Sequence, residues 1–366
     1  MSLPEREPEP EPPPEPGGNG GAQFLAEIRE QPQALLRLLE HDAEYEQVAK
    51  LARERGTTTV RMVGHGSSDN AASYGVYAFG LGAGWTAFRD SISLSVYYGT
   101  RLDMSGTIAI GLSQSGRTPD VVKYLERASH NGAFTVALTN DVDSELAGVA
   151  QAVLPLDAGE EHAVAATKTY LNQVAAIGLL ASHAAGKGQR FATGIRLVAD
   201  ELGELIPVLE QRVLPVASAF AFTGRMFVIG RGPEFATARE IALKLLETTR
   251  IAAEPLTATD LAHGPVAALD PLFPVWVVAA DDEAISTVIE GAERSRQAGA
   301  TLIASGAAAD AIPDAAYRLP LPNLGSRLLG PLLSVVPGQL FAWALARARG
   351  LDPDRPRGLS KVTLAR

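Results

Sequence analysis

Apolar positions along this chain follow two alternating periods. Phe24, Ile28, Leu35, Leu36, Leu38 and Leu39 recur mostly three or four residues apart, with Pro32 interrupting, and a second helical stretch runs from Asp42 to Arg53. The texture then changes. Short β-branched runs at Val60 to Val63, Thr107 to Leu112, Thr135 to Thr139 and Ala152 to Leu156 alternate with helical spacing at Asp69 to Gly80, Pro119 to Gly132 and Asp143 to Val149. Strands alternating with helices predict crossover units and a mostly parallel sheet.

The same texture returns later in the chain. The run Val60-Arg-Met-Val-Gly-His-Gly-Ser67 is echoed by Arg225-Met-Phe-Val-Ile-Gly-Arg-Gly232, with Gly66 and Gly232 separated by 166 positions. Thr139 and Ser305 are also 166 apart, and Leu156 and Leu321 are 165 apart. A near-constant offset across three elements predicts two copies of one doubly wound, flavodoxin- or Rossmann-like α/β domain. The expected division is a tail over 1–21, a first domain with N-terminal helices over 22–205, a second over 206–350 and a C-terminal tail over 351–366. Helical segments near Leu197 to Ala219 join the copies. The long apolar helices Ala166 to Ala185 and Leu328 to Arg349 close them by core packing.

Length and composition agree with this division: 366 residues at roughly 150 per domain suggest two or three folded units. A hydrophobic share of 46% supports real cores. The net charge of −10 disfavours nucleic acid, which needs a basic footprint. The absence of cysteine removes disulfides, thiol nucleophiles and zinc ribbons, and points to a reducing, cytoplasmic setting. The first twenty residues carry seven prolines and five glutamates, a flexible-tail composition with no apolar core of a signal peptide. The longest clean apolar run, Pro274 to Ala280, falls short of the roughly 20 residues that span a bilayer.

In open parallel sheets, ligands bind beyond the carboxyl ends of the strands. The loops there read Gly64-His65-Gly66-Ser67-Ser68-Asp69-Asn70 after the first strand and Ser113-Gln114-Ser115-Gly116-Arg117-Thr118 after the next. Thr118 is placed to cap the following helix through its hydroxyl, with Pro119 at the first helical position. Hydroxyls, an amide and free backbone N–H groups around a helix N-terminus suit a phosphate on a neutral sugar. The same Ser-Gln-Ser-Gly run also fits an ordinary capped turn. Neither a Walker loop nor a Gly-x-Gly-x-x-Gly fingerprint is present. In the second copy Ala279-Ala280-Asp281-Asp282 replaces the serine loop and would repel phosphate.

The second copy carries ionisable groups instead. Glu240, Lys244 and Glu247 share one helical face, an arrangement equally common on solvated helices. His263 stands in Asp260-Leu-Ala-His-Gly-Pro265, where it could be simple turn filler, and Lys361 in a tail, where lysines are usually solvated.

Together these residues resemble the SIS (sugar isomerase) family, specifically its tandem-domain members. Those are the isomerase half of glutamine–fructose-6-phosphate aminotransferase and stand-alone phosphosugar deaminases and deglycases. The anchors are Gly66-Ser-Ser68, Ser113-Gln-Ser-Gly-Arg-Thr118, Val164-Ala-Ala-Thr-Lys168, Ala242-Leu-Lys-Leu-Leu-Glu247, His263-Gly-Pro265 and Pro356-Arg-Gly-Leu-Ser-Lys361. The resemblance implies that Ser67, Ser68, Ser113, Gln114, Ser115 and Thr118 bind the sugar phosphate. It implies that Glu240, Lys244 and Glu247 handle the proton near C1–C2, with Glu247 as base. It further implies that His263 assists ring opening and that Lys361 closes the site, where the synthase forms an imine. Burial should push Glu247 toward neutrality, with Lys244 opposing. No metal or organic cofactor is needed, and a homodimer is implied, with His263 reaching a neighbour's site. The departures are the missing cysteine, Ala262 where the family often has lysine, Asp260 where glutamate is common, and a Leu-Ser-Lys-Val-Thr tail closer to the deaminase-type members. The expected activity is an amino-sugar phosphate deaminase-isomerase. A partner-fed or ammonia-fed synthase, a deglycase and a non-catalytic phosphosugar sensor are the alternatives.

Overall fold

A computed structural model describes residues 20–361. The proline-rich segment before Gly20 and the last five residues of the expected C-terminal tail lie outside the described residues. Five strands form the first sheet: β1 (Thr59–Val63), β2 (Thr86–Arg89), β3 (Thr107–Ser113), β4 (Phe134–Thr139) and β5 (Ala152–Pro155), in the order β2-β1-β3-β4-β5. Five more form the second: β6 (Arg225–Ile229), β7 (Ala252–Leu256), β8 (Pro274–Ala279), β9 (Thr301–Gly306) and β10 (Tyr317–Leu319), in the order β10-β9-β8-β6-β7. Read from the other edge, the second order repeats the first, and every pairing is parallel. The 166-residue echo is therefore a structural repeat of the flavodoxin-like doubly wound order.

Sequence dictates these strands through burial on both faces. Every residue of β3, β4 and β8 is buried, as expected of central parallel strands covered by helices. The turns after β1 and β6 match as well, since Gly66 and Gly232 take positive φ of 56° and 62° and lead into the helices Ser67–Ala83 and Glu234–Thr249. At Gly64 an added Cβ would meet Ser68 at 2.8 Å, so the first of these turns also needs its close approach.

The expected boundary at 205/206 falls inside one continuous 32-residue helix, Gly188–Ala219, which carries Pro207 and Pro215 without ending. The two lobes also share one apolar core, running from Phe24, Met62 and Tyr74 through Leu171 and Ile177 to Met226, Trp276 and Phe341. At its centre the Lys168–Ala184 helix is buried at all 17 positions, and the Gly330–Ala348 helix is nearly so. Helices apolar all round belong in the interior of a large protein. The lobes are thus held rigidly enough for the rear lobe to present groups to the front one.

Glu234 opens the Glu234–Thr249 helix and sits in this interior, 1% exposed. It accepts a hydrogen bond from Ser334 at 2.9 Å. Burial pushes its carboxyl up to about 7, Asp282 adds to the shift and Ser334 works against it. The folded state therefore binds this proton more tightly than the unfolded chain does. The stability it contributes is complete below pH 4.5 and is lost as pH rises through 7. Glu234→Gln, which mimics the protonated form, should gain about 3 kcal/mol relative to wild type at pH 8 and almost nothing at pH 4.5. Urea unfolding at the two pH values checks this, and an equal difference at both would refute it.

Candidate active site

The carboxyl end of the first sheet gathers most of the candidate residues. Ser67, at the start of its helix, donates to Glu240 Oε1 at 2.9 Å, and Asn70 Nδ2 donates to Glu240 Oε2 at 2.8 Å. Lys244 Nζ donates to Ser67 Oγ at 3.2 Å and lies 3.4 Å from Glu240 and 2.5 Å from Glu247. The rear-lobe helix Glu234–Thr249 thus inserts its ionisable face against the front-lobe loop. This is no solvated helix face, because the side chains of Glu240 and Lys244 are wholly inaccessible. Glu247, by contrast, keeps 22% of its side chain exposed.

The electrostatics follow from that burial. Loss of water opposes the charge on Lys244, but Glu240 and Glu247 more than offset it, with Glu161 contributing, and the ammonium is held above its usual range. For Glu240, burial outweighs Lys244, Asn70 and Ser67, and its carboxyl lies above the usual value.

The serine loop lies on the adjacent strand. β1 and β3 pair directly, and His65 of the first loop meets Asp120, in the first turn after Thr118, at 2.8 Å. Ser113 Oγ and Thr118 Oγ1 are 3.0 Å apart, and the Gly116 N–H donates to Ser113 Oγ at 3.1 Å. Thr118 and Pro119 do occupy the expected N-cap and first helical positions, but the Thr118 hydroxyl makes no cap hydrogen bond. Its partner is Ser113 instead, so the capping expectation is corrected. Ser115 accepts from the Arg117 N–H at 3.3 Å, and both Ser115 and Gln114 are partly exposed. Ser68 is buried and accepts from Gln173 at 2.9 Å, so its hydroxyl turns toward the core.

Lys361 is no solvated tail lysine. It donates to Glu161 Oε2 and to the Ala163 carbonyl, each at 2.7 Å. His263 caps the short Ala258–Ala262 helix and is exposed. Among the described residues no hydrogen bond joins it to the Glu240–Lys244–Glu247 cluster. Four contributors escaped sequence reasoning: Asn70, Arg239, Gln173 and Glu161. Arg239 donates to Asn70 Oδ1 at 2.8 Å and to Asp69 at 2.7 Å, which fixes the amide that holds Glu240. Arg239 directly precedes Glu240 in sequence and Asn70 ends the first glycine-serine loop, so adjacency was the available signal. Among the described residues no three His, Asp or Glu side chains cluster as metal ligands would, and no helix is long and apolar enough to cross a membrane.

This architecture has known counterparts. The SIS domain model matches residues 58–183 and 220–317, one match per lobe. The chain belongs to the SIS domain family. It is 34% identical over 351 residues to glutamine–fructose-6-phosphate aminotransferase [isomerizing] of Aeropyrum pernix, covering 93% of this chain and 56% of that protein. The enzyme of the same name from Symbiobacterium thermophilum is 34% identical over 363 residues. This chain spans little more than half the length of these relatives. Among solved structures, a Silicibacter pomeroyi protein named as a phosphosugar isomerase superposes with a TM-score of 0.80 at 32% identity, covering 90% of this chain and 99% of that one. The glucosamine-6-phosphate deaminase of Thermotoga maritima shares the fold, with a TM-score of 0.74 at 22% identity over 93% of this chain and 99% of its own. The chain is thus an SIS-domain protein related over 93% of its length to a part of these aminotransferases.

Proposed function

We propose that this SIS protein is an amino-sugar phosphate deaminase-isomerase, acting on glucosamine 6-phosphate or a close relative. The observation that carries the reading is a buried carboxylate–ammonium–carboxylate cluster from one lobe seated on the hydroxyl loop of the other. Ser113, Gln114, Ser115 and Thr118 hold the phosphate with uncharged donors, helped by the N-terminus of the Pro119–His130 helix. Ser67 and Ser68 order the neighbouring loop. His263, reaching across a homodimer, assists ring opening.

Glu247 is the base, because it alone of the three cluster residues is accessible to a substrate. It removes the C2 proton of the open amino-aldehyde, the C–H electron pair forms a C1–C2 double bond, and the C1 oxygen takes a proton. Return of a proton to C1 leaves a C2 imine, which water hydrolyses to ketose 6-phosphate and ammonia. The C1 carbonyl is the electron sink when C2 loses its proton, and the nitrogen lone pair then drives protonation of C1 and becomes the C2 imine. Lys244 keeps the Glu247 carboxylate paired, and Glu240 anchors Lys244. Lys361 closes the site from the C-terminal side.

The second reading is the isomerase component of an ammonia-fed or partner-fed synthase, favoured by the named relatives and their 34% identity. No residue of this chain is a cysteine, so thiol-based glutamine hydrolysis would come from elsewhere. Ammonia release from a panel of hexosamine and fructosamine 6-phosphates separates the readings. Ammonia with ketose phosphate from a hexosamine 6-phosphate is the expected result. Hexosamine phosphate formed only in the reverse direction, from ketose phosphate and ammonia, supports the synthase. A protein that binds these sugars and turns over none of them is a sensor.

A further inference from the structure

Glu161 belongs to the segment after β5, and every polar group it offers is engaged. Its side chain is wholly buried and accepts from the Thr167 N–H at 2.9 Å, the Thr169 N–H at 3.1 Å and the Thr169 hydroxyl at 2.6 Å. Those three donors open the Lys168–Ala184 helix, so part of the role of Glu161 is to satisfy a helix N-terminus. The fourth donor is Lys361, 200 residues away in sequence. Burial opposes the Glu161 charge, but Lys361 and the threonine donors prevail and the carboxyl lies below its usual value.

The segment that carries Glu161 is itself clamped. Glu27 accepts the backbone N–H groups of His162 at 2.5 Å and Ala163 at 3.2 Å. Val164 N–H donates to the Asp354 carbonyl at 3.1 Å, and the Ala163 carbonyl takes Lys361. Asp354 in turn accepts from the N–H groups of Gly21, Gln23 and Phe24. The C-terminal segment therefore crosses residues 161–164 and is tied to them at both ends, at Asp354 and at Lys361. The helix that Glu161 opens donates from Gln173 to Ser68 at 2.9 Å, next to the Ser67 that holds Glu240 and Lys244, so the crossing lies at the start of a helix packed against the cluster's loop.

We infer that Glu161 is a positioning residue that latches Lys361, and with it the C-terminal segment, over the Glu240–Lys244–Glu247 cluster. The inference rests on the reading of Lys361 as a site residue. Helix capping alone needs only the amide and hydroxyl donors, so the ion pair to the tail is an additional function of the same carboxylate. Both contacts of Lys361 Nζ are acceptors, which makes it a fixed charge in the closed site.

Two measurements test the latch. Limited trypsin digestion of the full chain without substrate should cut Arg357–Gly358 about tenfold faster in Glu161→Gln than in wild type, since a tail freed of its anchor opens locally. Gln retains an acceptor oxygen for the threonine N–H groups, and Lys361→Met attacks the pair without touching the cap, so it should show the same acceleration. Unchanged cleavage in both variants overturns the inference. With substrate, each single variant should lower kcat about tenfold or more at nearly constant KM, as misplacement of a group beside the chemistry does. The double variant should fall no further, whereas multiplying losses would overturn the coupling. If no hexosamine phosphate is turned over, the functional reading fails, while the digestion still decides the latch.

Discussion

Glu247→Gln should abolish most turnover while leaving the sugar phosphate bound. Removing a positioned base from a proton transfer costs about 10²–10⁴-fold, and the loss should appear in kcat with KM little changed. The geometry makes the substitution clean. Gln keeps the shape and a carbonyl oxygen facing Lys244, and Lys244 retains Ser67 at 3.2 Å and Glu240 at 3.4 Å. The phosphate donors sit on a different loop, after β3, and are untouched. Ammonia release measures turnover, calorimetry with glucosamine 6-phosphate measures binding, and a thermal melt verifies the fold. Full turnover in Glu247→Gln would remove the proposed base. Loss of binding together with turnover would mean that Glu247 holds the sugar and does not move its proton.

The sequence pattern carried the repeat because the doubly wound order imprints itself locally. The β1 and β6 runs share their apolar content and the glycine turn that follows, and both strands are central enough to be mostly buried. Two of the edge strands were less legible. β2 (Thr86–Arg89) has no fully buried residue, and β7 (Ala252–Leu256) includes Glu254 and Pro255, so neither shows a buried β-branched run. Edge positions relax the pattern, and proline is tolerated there. The site residues were recognisable as types in an order, whereas their burial was not. Glu240 and Lys244 have the spacing of a surface pair, and only Ser67 and Asn70, 170 or more positions away, make them interior groups. Glu161 shows the same limit, since a glutamate beside Glu160 carries no local sign that Lys361 will reach it. Thr118 shows a different one. Its position at the helix start was readable, but the choice of Ser113 as partner over the helix amides depends on the tertiary fold of the loop.

The largest loss of stability is expected from Lys244→Met. The substitution keeps the length of the side chain and deletes the ammonium that lies between two carboxylates. Removing one partner of a buried ion pair leaves an uncompensated charge and typically costs about 3–5 kcal/mol. Glu240 bears that cost, because its side chain is inaccessible and its remaining partners are the neutral donors Ser67 and Asn70. Protonation offers Glu240 an escape, which fixes the pH dependence. Its carboxyl already lies above the usual value in the intact protein, and the chief downward influence opposing burial is Lys244. Without Lys244 the carboxyl moves higher still, so the variant binds a proton that the unfolded chain has released. Its stability is then best below pH 4.5, the ordinary value, and declines as pH rises through the elevated one. Unfolding midpoints should therefore separate wild type and Lys244→Met widely at pH 8 and far less at pH 5. Adding Glu240→Gln to Lys244→Met removes the stranded charge and should recover a large part of the pH 8 loss. No recovery in the double variant would mean that lost packing, and not the unpaired carboxylate, destabilises the protein, and the cluster would then hold no charge in need of Lys244.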